Sequence, residues 1–261
     1  MINMLETKIV MEKKPKLRNP ICIVGLPGIG NIGRIAVGYA VHELKAKKFA
    51  ELYSPYFFPF VMIHKDMIHT LRNEFYYYKN PRGRDLILLI GDCQTYDPKG
   101  HYEVVGKILG FLKGLGCKDI ITVGGFGIGK VAAKPRVFGV VTDETMVKKY
   151  KKLGINFNIG KQIGTIVGAS GLLIGLAKMH DIKGMVLLGE TTGFPIITDP
   201  TAAEAVLEVL KKILRIRIDL SKLEEKVKAM HDFLKKLESI QKQATRQLGR
   251  EKKSEEVRYI G

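Results

Sequence analysis

Gly28, Gly30 and Gly33 carry the spacing G-x-G-x-x-G within the stretch Pro27-Gly28-Ile29-Gly30-Asn31-Ile32-Gly33. Between a strand and a helix, that spacing lets the backbone come close to a pyrophosphate, which is dinucleotide-binding chemistry. The same chemistry asks for a carboxylate about 20 residues on, at the end of the second strand, to hold the ribose. Glu51 stands near that distance but inside its strand, followed by Leu52-Tyr53, and no Asp or Glu closes the run. The stretch therefore reads as a structural turn, in which glycine permits positive φ and close packing.

Other groups able to do chemistry follow other apolar runs. They lie in Gly91-Asp92-Cys93-Gln94, in residues 124–129 and in Gly189-Glu190-Thr191-Thr192-Gly193. In an open α/β sheet the carboxyl ends of the strands gather on one edge, where ligands bind. Asp92, Cys93, His101 and Glu190 could meet there as an acid–base or Cys–His constellation. Nothing in the spacing compels it, and a carboxylate beside Cys93 disfavours the thiolate a nucleophile needs. The remaining histidines, His42, His64, His69, His180 and His231, show no metal-ligand spacing. Three cysteines, Cys22, Cys93 and Cys117, with no C-x-x-C pair, argue against a disulfide framework and a zinc site. No catalytic residue, metal or cofactor is assigned.

The elements that must position these groups alternate. Ile21-Cys22-Ile23-Val24 reads as a buried strand and residues 34–41 as the helix after it. A short edge strand is expected at 8–11 and a second strand at 49–53. Residues 56–63 and 74–78 are aromatic and β-branched with no helix between them, which predicts an inserted β-hairpin or small meander. The run 85–90, apolar from Leu86 onward, has the continuity of a central parallel strand. Val105, Ile108, Leu109 and Leu112 mark a helix, and 119–123, 137–141 and 184–189 are further strands. Asp143 can cap a short lysine-rich helix. Residues 168–177 form a helix with small residues on one face. Asp199-Pro200 opens another with an N-cap and an N1 proline. The pattern predicts an α/β fold: a three-layer α/β/α sandwich with a mainly parallel sheet, spanning residues 1–218.

The C-terminal part has a different texture. Leu220, Leu223, Val227, Met230, Leu234 and Leu237 are spaced as a heptad seam, in a coiled-coil-like helical appendage over residues 219–248. A helix facing its own core usually shows a wider apolar stripe, so the seam points to self-association or helix docking. Residues 249–261 form a charged tail, read as flexible, with an apolar tip at Val257, Tyr259 and Ile260 before Gly261.

The formal net charge is +17. Its basic clusters are scattered and match no nucleic-acid module, so they read as solvated faces rather than a nucleic-acid surface. No apolar run approaches the roughly 20 residues that span a bilayer. Residues 1–19 lack the apolar segment of a signal peptide. A cytoplasmic protein is expected.

In order along the chain, Gly25-Leu26-Pro27-Gly28-Ile29-Gly30-Asn31-Ile32-Gly33, Gly91-Asp92-Cys93-Gln94, Gly124-Gly125-Phe126-Gly127, Gly168-Ala169-Ser170-Gly171-Leu172-Leu173 and Gly189-Glu190-Thr191 leading to Asp199-Pro200 resemble the archaeal proteasome assembly chaperone family. The resemblance covers roughly residues 18–215. It implies a non-enzymatic α/β/α domain, architecturally related to nucleoside phosphorylases. It also implies a homo-oligomer whose partner is the proteasome α-subunits or α-ring, or another member of the same family. Some members dock through a C-terminal hydrophobic–tyrosine–any residue tail. Here Tyr259 stands one place earlier and Arg258 takes the hydrophobic position, while Val257, Tyr259, Ile260 and Gly261 keep an apolar anchor beside an aromatic. The alternative reading is a nucleoside- or nucleotide-binding α/β enzyme using the glycine-rich strand ends.

Overall fold

A computed structural model describes residues 6–129, 134–159, 164–193, 198–223 and 225. The chain divides into two units, Met1–Asp219 and Leu220–Gly261. The first is organised by a nine-stranded sheet and a separate two-stranded hairpin.

The strands are β1 (Lys8–Met11), β2 (Ile21–Gly25), β3 (Lys47–Tyr53), β4 (Val61–His64), β5 (Met67–Thr70), β6 (Asn73–Tyr78), β7 (Leu86–Gly91), β8 (Asp119–Gly127), β9 (Val137–Val141), β10 (Ile155–Asn156) and β11 (Lys183–Thr191). The main sheet runs β1-β3-β6-β7-β2-β8-β11-β9-β10. Its centre, β7-β2-β8-β11, is parallel. Strands β2, β7 and β11 are buried along nearly their whole length, and β8 over residues 120–123, as apolar runs covered on both faces must be. On one flank β6, β3 and β1 join by antiparallel ladders. On the other, β9 is antiparallel to β11.

The helices are α1 (Ile32–Glu43), α2 (Pro98–Gly114), α3 (Glu144–Tyr150), α4 (Ala169–Ala177) and α5 (Pro200–Leu214). Helix α1 packs on α5, and α2 packs on α4. Strand side chains alternate between faces. Cys22 and Val24 join the core cluster that holds Val105, Ile108 and Leu109 of α2. The missing Cβ of Gly25 points instead at Val37 of α1. The sheet is thus the middle layer of three.

Helix starts follow local chemistry. Asp97, Asp143 and Asp199 cap α2, α3 and α5 by accepting from the backbone N–H of Gly100, Thr145 and Ala202. Proline at the first turn of α2 and α5 gives up no helical hydrogen bond there.

The inserted hairpin is β4–β5. Of the aromatic run 56–63 only its last three residues are strand, because Pro55 and Pro59 interrupt the ladder donors upstream. Residues 73–78 do not pair with that run; they enter the main sheet between β3 and β7.

Candidate functional site

The carboxyl ends of β2, β7, β8 and β11 meet along one edge of the sheet, and the glycine turn sits among them. From Gly25 the chain passes Leu26, Pro27 and Gly28, makes a 3-10 turn at Ile29–Asn31 and enters α1. Each glycine there answers a different demand. A Cβ on Gly25 would run into the Gly33 carbonyl and the Val37 side chain. One on Gly33 would lie 2.5 Å from the carbonyl oxygen of Val123 in β8. Gly30 has φ 64°, and its carbonyl accepts from the N–H of Asp199 at 2.8 Å, tying the turn to the cap of α5. Gly28 is extended and meets only the Gln94 amide nitrogen, 3.8 Å from where a Cβ would stand. Across the cleft, Gly125 leaves room for the Ile29 carbonyl, and Gly127 lies against Gly193. Much of the glycine pattern is therefore occupied by backbone approaching backbone.

Sheet order also bears on the dinucleotide reading. In that fold the ribose carboxylate comes from the strand beside the glycine-turn strand. The neighbours of β2 are β7 and β8, and β3 lies beyond β6. Glu51 in β3 faces Glu74 across the ladder. It is engaged by Lys48 at 2.6 Å, by the Tyr53 hydroxyl at 2.7 Å and by Arg72 at 3.2 Å. Those partners hold its carboxyl below the usual range despite partial burial.

What remains open at the strand ends is a cleft of about 450 Å³, walled by Pro27, Gly28, Gln94, Gly124, Ser170 and Thr192 among others. Gln94 is its organising side chain. Its Nε2 donates to the Pro27 carbonyl at 2.5 Å, and its Oε1 accepts from the Ala169 N–H at 2.8 Å. One amide thus satisfies a free donor at the start of α4 and pins the glycine turn to it. Among the described residues, the lining carries no carboxylate, imidazole, thiol or amine. The Thr192 hydroxyl is buried without a hydrogen-bond partner there. Such walls can hydrogen-bond a neutral polar group.

The four other candidate groups have separate engagements. Asp92 pairs with Arg34 at 3.4 Å and accepts from the Arg72 N–H at 3.2 Å. Burial pushes the Cys93 thiol up to about 11, with the Asp92 charge adding to it. At neutral pH it is therefore protonated, the reverse of an activated nucleophile. His101 Nδ1 lies 2.6 Å from the Thr95 hydroxyl and 3.0 Å from the Asp97 carbonyl, at the start of α2. Glu190 is 3 % exposed and takes Arg136 Nε at 2.8 Å and the Arg136 N–H at 2.9 Å. The Cys–His and acid–base pairings that the sequence left open do not form among these contacts.

Gln94 and Arg136 escaped sequence reasoning. Neither residue type signals a bridge across 75 or 54 positions. Of the heptad seam, Leu220 and Leu223 are described, with the Leu223 N–H donating to the Leu220 carbonyl. Val227, Met230, Leu234 and Leu237, and the tail residues Val257, Tyr259, Ile260 and Gly261, lie outside the described residues. Among the described residues no helix is long and apolar enough to cross a membrane.

The pattern of the PAC2 family matches residues 22–238. The crystal structure of Pyrococcus furiosus PbaB, described as an archaeal proteasome activator, is similar at TM-score 0.83 and 43% identity, over 90% of this chain and 100% of that one. Pyrococcus furiosus PbaA, described as an archaeal homolog of proteasome-assembly chaperone, is similar at TM-score 0.71 and 28% identity, over 98% of this chain and 100% of that one. An uncharacterized protein of Methanocaldococcus jannaschii is 37% identical over 98% of this chain and 97% of its own length.

Proposed function

The chain belongs to the PAC2 family, and from that premise we propose that it is a proteasome-binding factor or assembly chaperone that works by binding rather than catalysis. The observation that carries this reading is the 43% identity and TM-score of 0.83 to an archaeal proteasome activator, over the whole of that chain. The cleft at the strand ends, with no titratable group among its described lining residues, fits a binding protein better than an acid–base enzyme.

In this proposal the chain is a cytoplasmic homo-oligomer that contacts proteasome α-subunits. Residues 219–248 form a helix whose seam, Leu220 to Leu237, packs on a partner helix. The tail residues Val257, Tyr259, Ile260 and Gly261 contact the α-ring. Several tails on one assembly would raise effective concentration, so that weak individual contacts sum to firm binding.

Native mass spectrometry of the full-length protein with α-subunits tests the reading. A complex is expected. Its absence under conditions where a related activator binds refutes the proteasome assignment. A complex with another PAC2 protein instead would move the partner within the family. Deleting residues 257–261 is expected to weaken binding at least tenfold; unchanged binding removes the tail from the contact.

A further inference from the structure

The β4–β5 hairpin breaks the rule that an antiparallel ribbon at the surface is apolar inside and polar outside. Register pairs Val61 with Thr70, Met62 with His69 and Ile63 with Ile68. Met62 packs against the core cluster. Alternation therefore puts Val61, Ile63 and Ile68 on the outer face, where Ile63 is 76% and Ile68 70% exposed. The chain enters this face from Phe60, itself 56% exposed. Phe60 stacks on Phe58 with centroids 6.0 Å apart, and Phe58 lies 5.8 Å from Tyr96.

We infer that this outer face, with Phe58, Phe60 and Tyr96, is where one copy of the chain docks on a second copy. That docking presupposes the homo-oligomer proposed above. Area and charge both favour a second copy as the occupant. At about 200 Å² per large side chain, the exposed parts of Phe58, Phe60, Val61, Ile63, Ile68 and Tyr96 come to roughly 600–700 Å². That exceeds the largest apolar patch of a typical monomer, about 300–600 Å². Doubled across a two-fold axis it reaches the range of about 1,200–2,000 Å² that stable interfaces bury. The chain carries a net charge of +17, so two copies repel over most approaches. Residues 56–70 contain one lysine and one aspartate, Lys65 and Asp66, adjacent at the hairpin turn. Here two like-charged molecules can meet without opposing their lysines. An acidic partner would be drawn to the basic faces instead. An isologous contact, each hairpin on its counterpart, satisfies both constraints.

The test is the solution mass of the full-length protein and of Ile63→Lys/Ile68→Lys. The wild type is expected at a multiple of 29.2 kDa, and the variant at half that multiple or less, with unchanged circular dichroism. A monomeric wild type overturns the homo-oligomer and this face together. An oligomeric wild type with a folded variant of the same mass overturns only the face. Should the lysine variant misfold, Ile68→Cys replaces it, since Cys22, Cys93 and Cys117 are all buried. Its alkylation is expected at least tenfold slower than that of Met179→Cys, at an exposed position on another surface. Equal rates overturn the inference. A monomer that loses α-subunit binding on Ile63→Lys/Ile68→Lys would give the face to the proteasome and overturn the second copy.

Discussion

Gly33 and Gly38 lie in one helix, α1, and the same substitution should have opposite signs at the two positions. A Cβ at Gly38 meets nothing within 4 Å. Gly38→Ala removes backbone freedom from the unfolded chain at no steric cost, which stabilises by about 0.5–1 kcal/mol. A Cβ at Gly33 would stand 2.5 Å from the Val123 carbonyl oxygen, 3.1 Å from that of Leu26 and 3.3 Å from Gly25 Cα. All three are backbone atoms. Val123 lies in β8, hydrogen-bonded to β2 on one side and β11 on the other, so it can retreat only by disturbing the central ladders. Overpacking a fixed site costs typically about 1–3 kcal/mol, and immovable neighbours put this one at the upper end. Subtracting about 1 kcal/mol for the better helix propensity of alanine leaves a net loss of about 2 kcal/mol. At about 2–4 °C per kcal/mol for a domain of this size, Gly33→Ala lowers Tm by roughly 4–8 °C, while Gly38→Ala raises it slightly. Denaturant midpoints, at one chain concentration because assembly adds its own stability, provide the measurement. Gly33→Ala at wild-type stability or above would show that the turn is not wedged against β8, and the packing account of the glycine spacing would fall.

Gln94→Ala should cost about 1–2 kcal/mol, because it frees the Pro27 carbonyl and the Ala169 N–H together; faster hydrogen exchange at Ala169 is the specific readout, and unchanged protection would count against the bridge. Arg136→Ala should destabilise the fold by leaving the buried Glu190 with fewer donors, read as a lower denaturant midpoint, whereas Arg136→Lys should recover part of the loss. A thiol reagent at pH 8 should leave native Cys93 and Cys117 nearly untouched, since burial pushes both up to about 11, and should label all three cysteines after denaturation. The hydrogen bond from Lys183 holds the Asp143 carboxyl well below its ordinary value, so its contribution to stability is present above about pH 4 and lost as pH falls further. The stability gap between wild type and Asp143→Asn should accordingly narrow below about pH 4; a gap that widened there would contradict the sign.

Much of this molecule was legible before any coordinates. The unbroken apolar run of β7 announced a strand covered on both faces, and Asp199-Pro200 announced the start of α5. The alternation of such runs with helical spacing announced a layered α/β fold. These are local signals: burial, periodicity and capping act on residues close together in the chain. Sheet order is not local. That β2 lies between β7 and β8, with two strands separating it from β3, depends on ladders between residues roughly 60 to 100 positions apart, and no pattern within either segment records it. For the same reason the spacing of Gly28, Gly30 and Gly33 could say that side chains are unwelcome but not what occupies the space. Only the assembled sheet shows Val123 filling it at Gly33 and an open cleft beside Gly28. The hairpin is the converse case. Of its aromatic and branched run 56–63 only 61–63 form a strand, the strand it pairs with at 67–70 went unread, and apolar character normally means burial. Whether a face is covered by the chain's own core depends on how far that core extends, and here it stops at Met62 and leaves Ile63 and Ile68 outside.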